Sequence, residues 1–128
     1  RRTLLPHFLA RHPDHELASV VDPGEAARRV RGLAERGDPM CRAIFAVQAR
    51  ALGLFFDEMV NVFDPDALIV GGGAVETSAA FRDWFLGEIR SGMPPQREEQ
   101  AGIPIHVIEG GDTAGARGAA LEARRRFG

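Results

Sequence analysis

Lysine and tyrosine are absent from this 128-residue chain, and all 16 of its basic residues are arginine. That excludes a Schiff-base lysine, a phosphate-loop lysine and a tyrosine acid. Cysteine occurs once, as Cys41, so no internal disulfide can form, and a reduced, cytoplasmic setting is the simplest reading. Long apolar runs are also missing. Every apolar stretch is broken by Arg, Glu or Asp well short of the ~20 residues a membrane span needs, so no membrane partner is expected. The opening Arg1-Arg2-Thr3-Leu4-Leu5-Pro6-His7 lacks the apolar core of a signal peptide. A net charge of −2 gives no basic footprint, and no nucleic acid is expected to bind this segment. With no initiator methionine, the chain reads as a piece of a longer protein.

What is present suits one globular domain over residues 1–128, with 45% apolar and 27% charged residues. A short helix is expected near residues 3–11, then a polar turn at His12-Pro13-Asp14-His15. Asp22-Pro23-Gly24-Glu25 carries an N-cap, a proline at the first helical position and a capping-box glutamate. The helix it starts should stop at Gly37. Asp38-Pro39 repeats the signal and opens a long helix to about Phe63, roughly 37 Å at 1.5 Å per residue. Cys41, Ile44, Phe45, Leu52, Phe55, Phe56, Met59, Val60 and Phe63 recur mostly at three- and four-residue spacings. That stripe suits a central packing helix, with a helix–helix dimer as the alternative. A strand is expected at residues 67–70, a helix at 78–90, a loop from Gly92, a strand at 103–108 and a final helix ending in Arg124-Arg125-Arg126. This order gives α/β architecture with parallel strands. Two strands make a poor sheet; a third could hide at Ser19-Val20-Val21, or come from elsewhere in the protein or from a second copy.

Residues 64–73, Asp-Pro-Asp-Ala-Leu-Ile-Val-Gly-Gly-Gly, are the most informative stretch. Three glycines together cost backbone entropy. They suit a turn with positive φ, or a ligand lying where a Cβ would collide. Strand, glycine turn and helix form a layout that holds nucleotides in α/β proteins. Two specific readings fail. A dinucleotide fingerprint counted from Gly71 needs glycine where Glu76 stands, and a phosphate loop needs Gly-Lys-Ser/Thr. A tight turn without ligand stays open beside a nucleotide turn.

Other candidates weigh less. His12 and His15 have a spacing a metal could use, but Cys41 is not obviously placed to join them, and a solvated turn is the expectation. His106 sits in an apolar strand, where a buried or edge histidine is commoner than a catalytic one. Small residues at 111, 115, 118 and 119 suit close helix packing, or else proximity to a nucleotide. The closing arginines suit a solvated helix end.

Taken in order, Glu35-Arg36-Gly37-Asp38, Ala51-Leu52-Gly53, residues 62–73 and Ala114-Gly115-Ala116-Arg117-Gly118-Ala119-Ala120 resemble the C-terminal part of ROK proteins. That family comprises repressors, open-reading-frame products and sugar kinases. The resemblance runs from about Leu4 to the end. It implies the C-terminal lobe of an actin-like (sugar kinase/Hsp70-like) ATPase fold, helix-rich with a small, mainly parallel sheet. It implies that Gly71, Gly72 and Gly73 form the turn beside the adenosine of ATP, with Mg2+ and a hexose or N-acetylhexosamine completing the reaction in the full-length protein. A homodimer is a further expectation. The family's Asp-x-Gly-Gly-Thr phosphate motif, its catalytic aspartate and its cysteine-rich zinc motif do not occur here. No residue of this chain is therefore assigned a catalytic or metal-binding role, and the segment alone should phosphorylate nothing.

Overall fold

A computed structural model describes residues 3–73, 75–94, 102–108 and 111–127. Helix α1 (Leu5–Leu9) leads through a 3-10 turn (Glu16–Ser19) to α2 (Pro23–Glu35) and α3 (Pro39–Phe63). Strand β1 (Leu68–Val70), helix α4 (Ala79–Gly92), strand β2 (Ile105–Val107) and helix α5 (Gly111–Phe127) follow. The helix starts obey local chemistry. Asp22 accepts from the N–H groups of Gly24 and Glu25, Asp38 from that of Cys41, and Ser78 from that of Phe81. At its other end α3 closes on Asp64, in the left-handed region at φ 46°, with Pro65 behind it.

β1 and β2 pair in parallel, Leu68 opposite Ile105, Ile69 opposite His106 and Val70 opposite Val107. Pro104 costs the ladder nothing, because it contributes its carbonyl to the N–H of Leu68. Leu68 and Val70 point into the core, while Ile69 is 62% exposed on the opposite face. Ser19-Val20-Val21 forms no third strand. The 3-10 turn, capped by His15, ends at Ser19, and Val21 lies almost wholly in solvent with no strand beside it.

The core is built where α3 meets α2 and α4. Val30, Leu33 and Ala34 of α2 and Cys41, Ile44, Phe45 and Ala49 of α3 are buried together with Phe81, Phe85 and Ile89 of α4. Phe45 stands edge-on to both Phe81 and Phe85, at 5.2 and 6.0 Å between ring centroids. Each buried phenylalanine contributes about 1.5–3 kcal/mol by its burial alone. Arg42 ties three helices together, donating to the Ala34 carbonyl at the end of α2 and lying 5.1 Å over the Trp84 ring of α4.

Phe45 meets Phe81 and Phe85, and further along Gly53 meets Ile89 and Gly92, so α3 and α4 run in the same sense and converge. A Cβ on Gly53 would stand 2.9 Å from the Gly92 Cα and closer still to the Ile89 carbonyl oxygen. A Cβ on Gly92 would meet the Arg50 backbone in the same way. Here glycine is demanded by backbone approach.

The apolar stripe of α3 is core only in part. α4 ends beside Gly53, so residues 54–63 run on past it. Leu54, Phe55, Val62 and Phe63 are exposed, Phe63 by 69%, although Val60 stays buried. The sequence expectation that Phe55 and Phe63 belong to one packed stripe is corrected by where the partner helix stops.

Gly53→Ala should destabilise the protein by about 1–3 kcal/mol or more, since overpacking against backbone outweighs the ~1 kcal/mol gained in helix propensity. Gly87→Ala, on exposed α4 surface with nothing within 4 Å, should stabilise it by about 0.5–1 kcal/mol. Urea midpoints read both. Equal shifts for the two would refute the close-approach account.

Candidate functional site

β1 delivers the buried Val70 into the glycine turn, and α4 begins nine residues later behind the Ser78 cap. The three glycines meet different demands. Gly72 has φ 101°, which a side chain would strain. Its carbonyl accepts from the N–H groups of Val75 and Glu76, at 3.0 and 3.3 Å, and Val75 is buried as an anchor. Gly73 is tight against Arg31 of α2: a Cβ would lie 3.3 Å from Nη1, and that nitrogen donates to the Gly73 carbonyl at 3.1 Å. Gly71 meets only ordinary contact with Ile108.

Among the described residues no acceptor is bonded to the N–H groups of Gly71, Gly72 or Gly73. A trans peptide points its N–H opposite to its C=O. With the Gly72 carbonyl turned towards Val75 and Glu76, the Gly73 N–H points away from them. The turn thus offers donors at the C-terminal end of a parallel strand, where α/β sheets receive ligands.

A second cluster gathers at the start of α3. His15, Asp38 and Cys41 bring their potential ligand atoms within 4.8 Å of one another. This corrects the expectation of a solvated His12–His15 turn with Cys41 apart: His12 is exposed, whereas His15 is packed beside Cys41. The bonding is already complete. The Leu17 N–H donates to His15 Nδ1 at 3.1 Å, so Nε2 carries the proton and donates to Asp38 Oδ2 at 3.0 Å. Asp38 Oδ1 accepts from the Cys41 N–H at 2.8 Å. Burial pushes the Asp38 carboxyl up, but the Cys41 N–H, His15 and the Cys41 thiol more than reverse this, leaving it below its ordinary value. Burial and the neighbouring Asp38 push the Cys41 thiol up to about 12. A thiol so reluctant to ionise is a poor nucleophile. The cluster staples the 3-10 turn to α3.

His106 is exposed on β2. The burial of Gly111, Gly115 and Gly118 lies outside what the structure describes, and Ala119 is exposed. The arginines closing α5 are exposed, and Arg125 and Arg126 both pair with Glu122. Sequence reasoning missed Arg31 and the His15–Asp38 pair. Their partners lie 42 and 23 residues away, and no local pattern announces either.

Within this chain no lysine or tyrosine titrates between pH 9 and 12, so that window isolates Cys41. Unfolded, the thiol ionises near 9.0; folded, it holds its proton to about 12. Its stabilising contribution is complete below the lower value and is lost as pH rises through the interval, on the order of 3 kcal/mol by about pH 11. Urea midpoints of the wild type should fall over that range, and Cys41→Ala should remove the fall. An unchanged slope in the variant would sink the assignment.

No solved structure matches this chain significantly. The model of the ROK family matches residues 22–126, the whole span from the Asp22 cap to the last turn of α5. That span is narrower at its N-terminal side than the resemblance from Leu4, and it includes the glycine turn, the α3–α4 crossing and both strands. With most of its length matched in this way, the chain belongs to the ROK family.

Proposed function

We propose that this chain is the nucleotide-side lobe of a ROK-type sugar kinase. Residues 71–73 form the turn against which the adenosine of ATP lies, and the start of α4 walls the pocket. The observation that carries this reading is the set of N–H groups on Gly71, Gly72 and Gly73 that meet no acceptor among the described residues, held between the end of a parallel strand and a helix start. In the full-length protein Mg-ATP donates its γ-phosphoryl group to a hydroxyl of a hexose or N-acetylhexosamine, and an aspartate outside these residues takes the hydroxyl proton. The cytoplasm, where ATP is supplied, is the setting that suits this activity.

The exposed half of α3 supports a second role. Leu54, Phe55, Val62 and Phe63 give a helix an apolar surface that a second copy would bury. A homodimer through this helix is compatible with kinase activity.

The test uses full-length protein, ATP and a panel of hexoses and N-acetylhexosamines. One sugar should turn over, and Gly72→Val should raise the KM for ATP at least about tenfold, by straining the turn and crowding the nucleotide. No turnover with any sugar would sink the kinase reading. A helix-turn-helix segment upstream of Arg1 would then favour a sugar-responsive repressor.

A further inference from the structure

Arg31 stands apart from its neighbours on α2. Arg28 and Arg29 lie near Asp22 and Glu16 in exposed pairs. Arg31 is half-buried and makes no ion pair among the described residues. Its one hydrogen bond there goes to the Gly73 carbonyl. A guanidinium is always charged, and such a donor to a carbonyl makes a stronger bond than a neutral one. The bond crosses from α2 to a turn 42 residues later in the chain.

It acts on a defined piece of backbone. The Gly72 carbonyl is held by Val75 and Glu76, and the Gly73 carbonyl by Arg31. Two successive peptide planes therefore have their carbonyls taken, and the Gly73 N–H is directed away from Val75 and Glu76. Among the described residues Arg31 is what holds the second plane, and glycine offers little steric resistance to its rotation. A Cβ at Gly73 would lie 3.3 Å from Arg31 Nη1, so any side chain there would crowd the guanidinium.

We propose that Arg31 is a positioning residue for nucleotide binding: it holds the Gly73 carbonyl and so ties to α2 the turn that carries the Gly71, Gly72 and Gly73 N–H groups. This rests on the reading of residues 71–73 as the nucleotide turn. Arg31 acts through the turn; the sugar is bound elsewhere and is not its concern.

The experiment compares Arg31→Met and Arg31→Lys in full-length protein. The readouts are KM for ATP, KM for the sugar, kcat, and amide hydrogen exchange across residues 71–77. Arg31→Met should raise the KM for ATP about tenfold, the effect of losing one bond from a charged donor. The sugar KM and kcat should stay within about twofold. Exchange should quicken at residues 71–77 and not along α3, and Arg31→Lys should recover part of the loss. An unchanged ATP KM overturns the inference, as does a variant in which both KM values and exchange throughout α2 and α3 change together. Gly72→Val separates the two ideas. If that variant leaves ATP binding intact, the nucleotide reading fails, and exchange at residues 71–77 in Arg31→Met still decides whether Arg31 sets the turn.

Discussion

The close crossing of α3 and α4 is the constraint on which the rest of the fold depends. Two helix backbones touch where Gly53 faces Gly92, and neither position can carry a side chain without pushing the helices apart. From that contact the helices diverge just enough for Phe45 to enter between Phe81 and Phe85. α4 in turn is the connection from β1 to β2, so its distance from α3 sets where the sheet lies and where the glycine turn opens. The candidate site hangs from two glycines, Gly53 and Gly92, that lie outside it.

With no lysine available, arginine makes the long-range polar ties. Arg42 bonds the end of α2 and lies over Trp84; Arg31 reaches the glycine turn; Arg50 pairs with Glu88 across the α3–α4 junction. The planar guanidinium suits these tasks, since it can donate to a carbonyl and lie flat on a ring. The exposed pairs add little to stability. The ties to carbonyls matter more, because a charged donor makes a stronger bond to a carbonyl than a neutral one does.

Much of the fold was legible because helix starts are written locally. Asp22-Pro23, Asp38-Pro39 and Ser78 each cap the helix expected from them, and α3 ends at Phe63 as its apolar period implies. The parallel pair of strands also follows from the β-α-β order. What was not legible depends on distant partners. The exposure of Phe55 and Phe63 depends on where α4 stops, and the stripe itself carries no sign of that. His15 could not be matched with Asp38, since the pairing requires the intervening α2 to fold back. The glycine triplet was recognisable as a turn, but its division of labour was not: one glycine for φ, one for Arg31, one in ordinary contact.

The burial of Cys41 has a consequence for how the surrounding cell can mark this molecule. Acetylation and ubiquitin transfer need a lysine amine, phenol-directed kinases need tyrosine, and thiol modification needs an accessible thiolate. Residues 1–128 contain no lysine and no tyrosine, and their one thiol is fully enclosed. Covalent regulation of this part of the protein through its side chains is therefore left to hydroxyl, imidazole, guanidinium, carboxylate and methionine thioether chemistry. Its folded surface offers no lysine amine, no phenol and no exposed thiol to the enzymes that tag proteins through those groups.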